Sequence, residues 1–287
     1  MTISIAEALL EASNVLRRAS VPEARREAGW LLMHALDCDR TYLIAHADAE
    51  ITDAQFEIYK KLVEARSTGQ PLQYITGHQD FFGFDFEVSR DVLIPRPETE
   101  ILVETALSLV SQIQLPFICD VGTGSGCIVV ALLKSLPQAR AIALDISEAA
   151  IEIAARNAQQ HGVDNRIQFT VSDCFAAIQQ LTGPTFDLIV SNPPYVAEHA
   201  VEGLQREVRD FEPRVALTAG PDGLAVITRV IDDASRFLKP DGFLVLEIGY
   251  DQHDAVRNLV DPAIWQLLDI HQDLQGIPRI FALSKRS

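Results

Sequence analysis

Phe117-Ile118-Cys119-Asp120-Val121-Gly122-Thr123-Gly124-Ser125-Gly126 decides how this chain folds. The first four residues read as a short apolar strand, and the three alternate glycines mark a turn from that strand into a helix. Glycine lets the backbone take positive φ and come close to a ligand. In an open α/β sheet, ligands bind beyond the carboxyl ends of the strands at such a turn. The spacing is GxGxG, and the position that would complete a dinucleotide GxGxxG fingerprint holds Cys127. No GK[ST] phosphate loop occurs.

Downstream, residues 141–144, 167–170, 186–190 and 243–248 are further short apolar strands separated by helical segments. Residues 265–270 and 279–283 read as two more strands closing one edge. The alternation predicts an α/β domain built on a doubly wound, Rossmann-like, mostly parallel sheet of seven strands. Upstream, residues 3 to about 70 carry helical periodicity and almost no strand signal. Ile5, Ala8, Leu9, Ala12 and Leu16 share one face, a second helix is expected from Val21-Pro22-Glu23, and Thr52-Asp53 caps a third. Phe82, Phe84, Phe86 and Val88 alternate with small and polar residues, which predicts a strand turning at Ser89-Arg90-Asp91 into Val92-Leu93-Ile94. The expected domains are residues 1–76 (helical), 77–96 (a β-hairpin linker) and 97–287 (catalytic).

The second strand ends in Asp145, 19 residues beyond Gly126, placed to accept from both hydroxyls of a ribose. Asp120 discriminates further, because a carboxylate beside the glycines repels a pyrophosphate but suits a ligand with an ammonium and a sulfonium. S-adenosylmethionine (SAM) is such a ligand, giving S-adenosyl-L-homocysteine as product. A purely structural glycine turn and a dinucleotide-binding dehydrogenase are the alternatives. After the third strand, Asp173 is placed to accept from an adenine amine, with Cys174 packed near the ring.

Asn192-Pro193-Pro194-Tyr195 follows the strand at 186–190. Two prolines hold the loop extended and remove N–H donors, so it presents acceptors: the Asn192 side-chain oxygen and the carbonyls of Asn192 and Pro193. A planar NH2 can donate to such a cluster while the Tyr195 ring packs against its plane. The loop therefore reads as a grip for an amide or an exocyclic amine.

The formal net charge is −16, with eight basic and eleven acidic residues among the first 75, so the deficit lies mostly beyond them. Binding a long polynucleotide rests on neutralising phosphates, so this balance favours a small-molecule or protein substrate. No apolar run reaches the roughly 18 residues of a membrane span, and residues 1–5 carry no basic segment of a secretory leader. Cys38, Cys119, Cys127 and Cys174 are widely spaced, as expected of free thiols in a reducing cytoplasm rather than of a metal site.

Taken together, DxGxGxG, the acid ending the second strand and NPPY ending the fourth resemble class I SAM-dependent methyltransferases acting on planar nitrogen. The nearer resemblance is to the protein-(glutamine-N5) methyltransferase family, on its release-factor branch. Gln70-Pro71-Leu72-Gln73-Tyr74-Ile75-Thr76-Gly77, Leu93-Ile94-Pro95-Arg96-Pro97-Glu98-Thr99-Glu100, Glu207-Val208-Arg209-Asp210-Phe211-Glu212-Pro213 and Gly220-Pro221-Asp222-Gly223-Leu224 carry it. It implies that Asp120, Gly122, Thr123, Gly124, Ser125, Gly126, Asp145, Asp173 and Cys174 hold SAM. It implies that Asn192 touches both SAM and the target amide, and that Pro193, Pro194, Tyr195 and Leu93 line a glutamine pocket. Cys174 stands where relatives often carry an aromatic. The implied activity is methylation of the Gly-Gly-Gln glutamine of class I peptide chain release factors in the cytoplasm, with residues 1–76 docking the factor. Glutamine methylation of a large-subunit ribosomal protein and N6-adenine methylation of nucleic acid are the rival substrates. His78, His161, His199 and His253 are expected at surface or structural positions, and no metal is expected.

Overall fold

The computed structural model describes residues 3–180 and 185–287. Met1 and Thr2, at the start of the stretch read for a leader, lie outside the described residues. Two compact units emerge: Met1–His78 with Gln205–Phe211, and Gln79–Leu204 with Glu212–Ser287.

In the first unit, a two-residue strand β1 (Ile3–Ser4) pairs antiparallel with β2 (Glu50–Ile51) beside helices α1 (Ile5–Arg18), α2 (Ala24–Leu36), α3 (Arg40–Ala45), α4 (Asp53–Ser67) and α5 (Leu72–Thr76). Ser4 and Thr52 each close a capping box, with Glu7 and Gln55 respectively, so both long helices start where an orphan N–H finds a side-chain oxygen. Ile5, Ala8, Ala12 and Leu16 bury against Leu31, Leu32, Tyr59 and Val63. The second helix begins at Ala24 rather than at Pro22, with Glu23 as its N-cap residue. Gln205–Phe211 supplies α9 (Arg206–Phe211) to this unit, so a segment expected within the catalytic domain packs with the helices. Arg66, its side chain 3 % exposed, binds Glu27 of α2, Glu207 of α9 at 2.5 Å and the Gln70 carbonyl at 3.2 Å. Between α1, α2 and α3 opens a groove of about 890 Å³ that mixes apolar walls with Arg17, Arg25, Arg26 and Arg40. The Arg26 guanidinium sits 4.7 Å over the half-exposed Trp30 ring.

In the second unit, strands β3 (His78–Phe81) and β4 (Phe84–Glu87) form a hairpin. Its turn is Phe82-Gly83, both at positive φ (53° and 75°), so residue 82 turns the chain instead of continuing a strand to 88. Ser89 to Ile94 form no returning strand. The period-two spacing of phenylalanines ran through the turn and masked it.

The main sheet comprises β5 (Phe117–Val121), β6 (Arg140–Asp145), β7 (Ile167–Val171), β8 (Phe186–Ser191), β9 (Leu238–Glu247), β10 (Trp265–Gln272) and β11 (Pro278–Lys285). Its order is β10-β11-β9-β8-β5-β6-β7, parallel except for β11, which runs antiparallel to both its neighbours. Alternate residues go to opposite faces, as a pleated strand requires. Ile118, Leu188, Val190 and Val245 join the core under helices α6 (Thr99–Val110) and α7 (Cys127–Ser135). Cys119, Ile189, Leu244 and Leu246 join the one under α11 (Ala225–Phe237) and α12 (His253–Leu259). Helix α8 (Glu148–Gln160) returns from β6 to β7, and the short α10 (Arg214–Leu217) follows α9. The chain winds outward from β5 through β6 and β7, then outward again through β8 and β9. The crevice between β5 and β8 is thus the switch point where α/β sheets bind ligands.

Candidate active site

A cavity of about 340 Å³ lies over the carboxyl ends of β5 to β8. Gly122, Thr123, Gly124, Ser125, Asp145, Asp173, Cys174, Asn192, Pro193, Pro194 and Leu93 all line it. Asp120, Gly126 and Tyr195 stand behind that wall.

The glycine loop is anchored by the strand next door: the Gly122 and Thr123 N–H groups donate to the Leu144 carbonyl at 2.8 and 2.9 Å. Gly122 takes φ 76° with no protein atom within 4 Å of a would-be Cβ, so conformation demands glycine there. Gly126 has the same need at φ 79° and a second one, because a Cβ would lie 3.0 Å from the Ala154 Cβ where α8 packs against the loop. Asp145 accepts the Gly124 N–H at 2.8 Å through Oδ2 and the Ser147 N–H at 2.9 Å through Oδ1. Burial nevertheless pushes its carboxyl above the ordinary range. Asp120, fully buried, accepts from the Thr123 hydroxyl at 2.7 Å. Burial, with Asp145 nearby, pushes it up to about 7. Asp173 is exposed and ion-paired with Arg229 at 2.9 Å, a neighbour its local sequence gave no hint of. Cys174 is buried at φ 47°, and burial raises its thiol.

The Asn-Pro-Pro-Tyr loop is braced from behind. The Ser191 hydroxyl donates to the Val121 carbonyl at 2.6 Å, tying the end of β8 to the end of β5. Gln252 donates to the Tyr195 carbonyl at 2.9 Å, and Gly223 presses so close that a Cβ would stand 2.2 Å from that oxygen. Val196 and Thr218 form a parallel bridge. Tyr195 itself packs against the core below α11, its hydroxyl 3.5 Å from Glu247, rather than facing the cavity. Burial and Glu247 raise that phenol.

Asn192 donates from Nδ2 to the Thr99 hydroxyl at 3.0 Å, and Thr99 donates to Glu247 Oε2 at 2.6 Å. Burial pushes Glu247 up to about 7. Among the described residues, two buried side-chain oxygens have no hydrogen-bond partner: Asp120 Oδ1 and Asn192 Oδ1. Such orphans are costly and rare. Both fall on residues marked by motif alone, one behind the glycine loop and one at the amide grip.

A methyltransferase domain model matches residues 117–268, and a PrmC N-terminal domain model matches residues 7–77. The chain is 42 % identical over 278 residues to the release factor glutamine methyltransferase of Koribacter versatilis, covering 97 % of each. It is 43 % identical over 268 residues to that of Burkholderia pseudomallei, covering 92 % of this chain and 93 % of that one. The chain belongs to the release factor glutamine methyltransferase family. The hMettl16 catalytic domain, solved with an RNA hairpin, shares its fold (TM-score 0.55, 17 % identity) over 78 % of this chain and 81 % of its own.

For a release factor glutamine methyltransferase family member, two of the motifs resolve into one contact. Arg96 of the Pro-Arg-Pro-Glu segment grips both oxygens of Glu212, at 2.6 and 2.7 Å. Thr99, Glu247, Gln252 and Arg229 were missed by reading the sequence. For Glu247 a signal existed, since it directly follows the buried apolar run Leu244-Val245-Leu246 at the end of its strand, as Asp145 follows Ala141 to Leu144. Among the histidines, His161 Nε2 lies 2.7 Å from the Asp85 carbonyl and its ring packs on Phe84 and Phe86. No helix among the described residues is long and apolar enough to cross a membrane.

Proposed function

We propose that this enzyme transfers a methyl group from SAM to the side-chain amide nitrogen (N5) of the glutamine in the Gly-Gly-Gln motif of class I peptide chain release factors. The observation that carries the reading is the buried, unpartnered Oδ1 of Asn192 in the wall of the cavity. An acceptor left empty there suits a ligand that brings its own N–H, and a glutamine amide brings two. The names borne by relatives that span nearly the whole chain support the release factor as the protein that carries it.

The residues present fit SAM. Asp120 Oδ1, buried behind the cavity wall, is an unpartnered carboxylate oxygen whose charge is complementary to an ammonium or sulfonium held in front of it. Asp145 lines the same cavity, and each of its oxygens, having accepted one backbone N–H, keeps acceptor capacity for a ribose hydroxyl. Gly122 to Gly126, Asp173, Cys174 and Asn192 would hold the rest of the cofactor. Bound SAM supplies an electrophilic methyl group.

The chain's own part is to make a poor nucleophile reactive. The amide nitrogen's lone pair is delocalised into its carbonyl. Asn192 Oδ1 and the Pro193 carbonyl accept the two N–H bonds and favour pyramidalisation, while Leu93 and Pro194 wall the pocket and Tyr195 backs the loop. These bonds strengthen as positive charge develops on nitrogen, so they stabilise the transition state more than the ground state. Orientation supplies up to about 7–11 kcal/mol in well-aligned systems. The proton leaves to water after transfer, and no general base is required.

The helical unit, residues 1–76 in the main, docks the release factor in this reading. Its groove supports the assignment, because arginines line it in a chain whose net charge is −16, which suits an acidic protein surface with apolar residues. The substrate places the enzyme's work in the cytoplasm. Incubation with labelled SAM and three substrates tests the proposal: a class I release factor, its Gly-Gly-Gln→Gly-Gly-Ala variant, and adenine-containing DNA. Label on the first alone is expected. Label on the alanine variant or on DNA would overturn it.

A further inference from the structure

We propose that Glu247, acting through Thr99, sets which way the Asn192 amide faces and is thereby a positioning residue for methyl transfer. The inference rests on the amide-grip reading above. An asparagine amide has two ends of similar shape and opposite polarity, and only the oxygen end can receive a substrate NH2. Something must hold the oxygen outward.

Thr99 opens α6 and Glu247 ends β9, each 2 % exposed, so water has little access to substitute for either. A threonine hydroxyl has one proton. Directed to Glu247 Oε2 at 2.6 Å, it leaves only lone pairs on the side facing Asn192. Asn192 therefore meets Thr99 with its NH2, at 3.0 Å, and Oδ1 is left without a partner in the chain. Reversed, the amide would set two acceptors against each other. The ionised carboxylate thus fixes the hydroxyl, and the hydroxyl fixes the amide.

Protonation undoes the arrangement. A neutral Glu247 can donate to Thr99, which frees the Thr99 proton for Asn192 Oδ1 and turns the NH2 toward the substrate. The charged and titratable groups facing Glu247 are Glu98, which raises its carboxyl; Arg279 of β11, which lowers it; and Tyr195, which lowers it by hydrogen bonding. Cys127 of α7 also senses its charge. Burial outweighs the Thr99 hydrogen bond and Arg279 and holds Glu247 at about 7, so the relay loosens within a measurable pH range.

The test measures kcat for release-factor methylation at saturating SAM against pH, for Thr99→Val and Thr99→Ser. Thr99→Val removes the hydroxyl at constant shape and is expected to lower kcat about tenfold, the size of one net hydrogen bond, with KM for SAM unchanged. Thr99→Ser is expected within about twofold of wild type, because the donor is kept. The native kcat falls as the pH drops below about 7, and Thr99→Val loses that limb. A Thr99→Val kcat within about twofold of wild type, or a pH limb that survives Thr99→Val, would overturn the relay and leave the amide grip standing. A wild-type enzyme that labels no glutamine would overturn both.

Discussion

Arg96 holds Glu212 by both carboxylate oxygens, at 2.6 and 2.7 Å, and the Glu212 side chain is only 1 % exposed. The pair joins the segment that leads into α6 to the segment that follows α9. Removing one partner of a buried pair costs about 3–5 kcal/mol when the other charge is left uncompensated. Arg96 keeps 29 % exposure and Glu212 makes a further interaction besides Arg96, which puts Arg96→Met at the low end, about 3 kcal/mol. Urea unfolding is expected to show that loss, and the double variant Arg96→Met/Glu212→Leu to recover a good part of it. A double variant no better than the single would contradict this account.

Gly223→Ala is expected to cripple catalysis from outside the cavity. The added Cβ would stand 2.2 Å from the Tyr195 carbonyl oxygen, a backbone atom, at a position of φ 75°. The Asn-Pro-Pro-Tyr loop must shift, and a misplacement of about 1 Å in a catalytic group costs on the order of 100-fold. Gly203→Ala serves as control, with open space and no positive φ. Steady-state kinetics separate the two: kcat drops in the first and stays put in the second.

Binding of SAM is expected to strengthen as the pH rises from about 5.5 to 7. Burial keeps Asp120 protonated up to about 7, whereas the unfolded chain releases that proton near 3.8. A cation held in the cavity that Asp120 backs favours the ionised form, so binding releases a proton and affinity climbs until Asp120 is already charged. The same shift makes the ligand-free fold lose stability as the pH rises from about 4 to 7, a loss that SAM offsets. Calorimetric titration across this range checks the sign, and Asp120→Asn is expected to bind more weakly with a flatter profile. An equally steep profile in that variant would rule Asp120 out as the source.

Arg25→Glu with Arg40→Glu is expected to raise KM for whole release factor by about tenfold while leaving kcat on a short Gly-Gly-Gln peptide unchanged. Both arginines are exposed and line the groove of the helical unit. The comparison of protein and peptide substrates decides it. A loss of the same size on the peptide would mean that the groove has no part in docking.

Legibility in the sequence followed how far apart the interacting residues lie. Strands β5, β6, β8 and β11 were readable because each is a mostly buried apolar run whose burial is a local demand, and β8, buried along its whole length, is the clearest case. The glycine loop and the Asn-Pro-Pro-Tyr loop were readable because each compresses its chemistry into a few consecutive residues. Thr99 and Glu247 lie 148 positions apart, and nothing local to either discloses the other. Tyr195 was placed in the site by its motif, but its ring went to the core, where apolar area is worth more than a view of the cavity. At Phe82-Gly83 a two-residue turn defeated a period-two pattern that continued across it.

Arg66 and its two glutamates have a last consequence. With Glu207 bound at 2.5 Å, residues 205–211 belong to the helical unit although the catalytic unit precedes and follows them in the chain. The polypeptide therefore crosses between the units three times, after His78, after Leu204 and after Phe211. Two parts threaded in this way cannot be traded as whole modules by a single recombination event. A chimaera that exchanged only residues 1–78 would separate this chain's Arg66 from its own Glu207, so an exchange that keeps the pair must carry residues 205–211 as well.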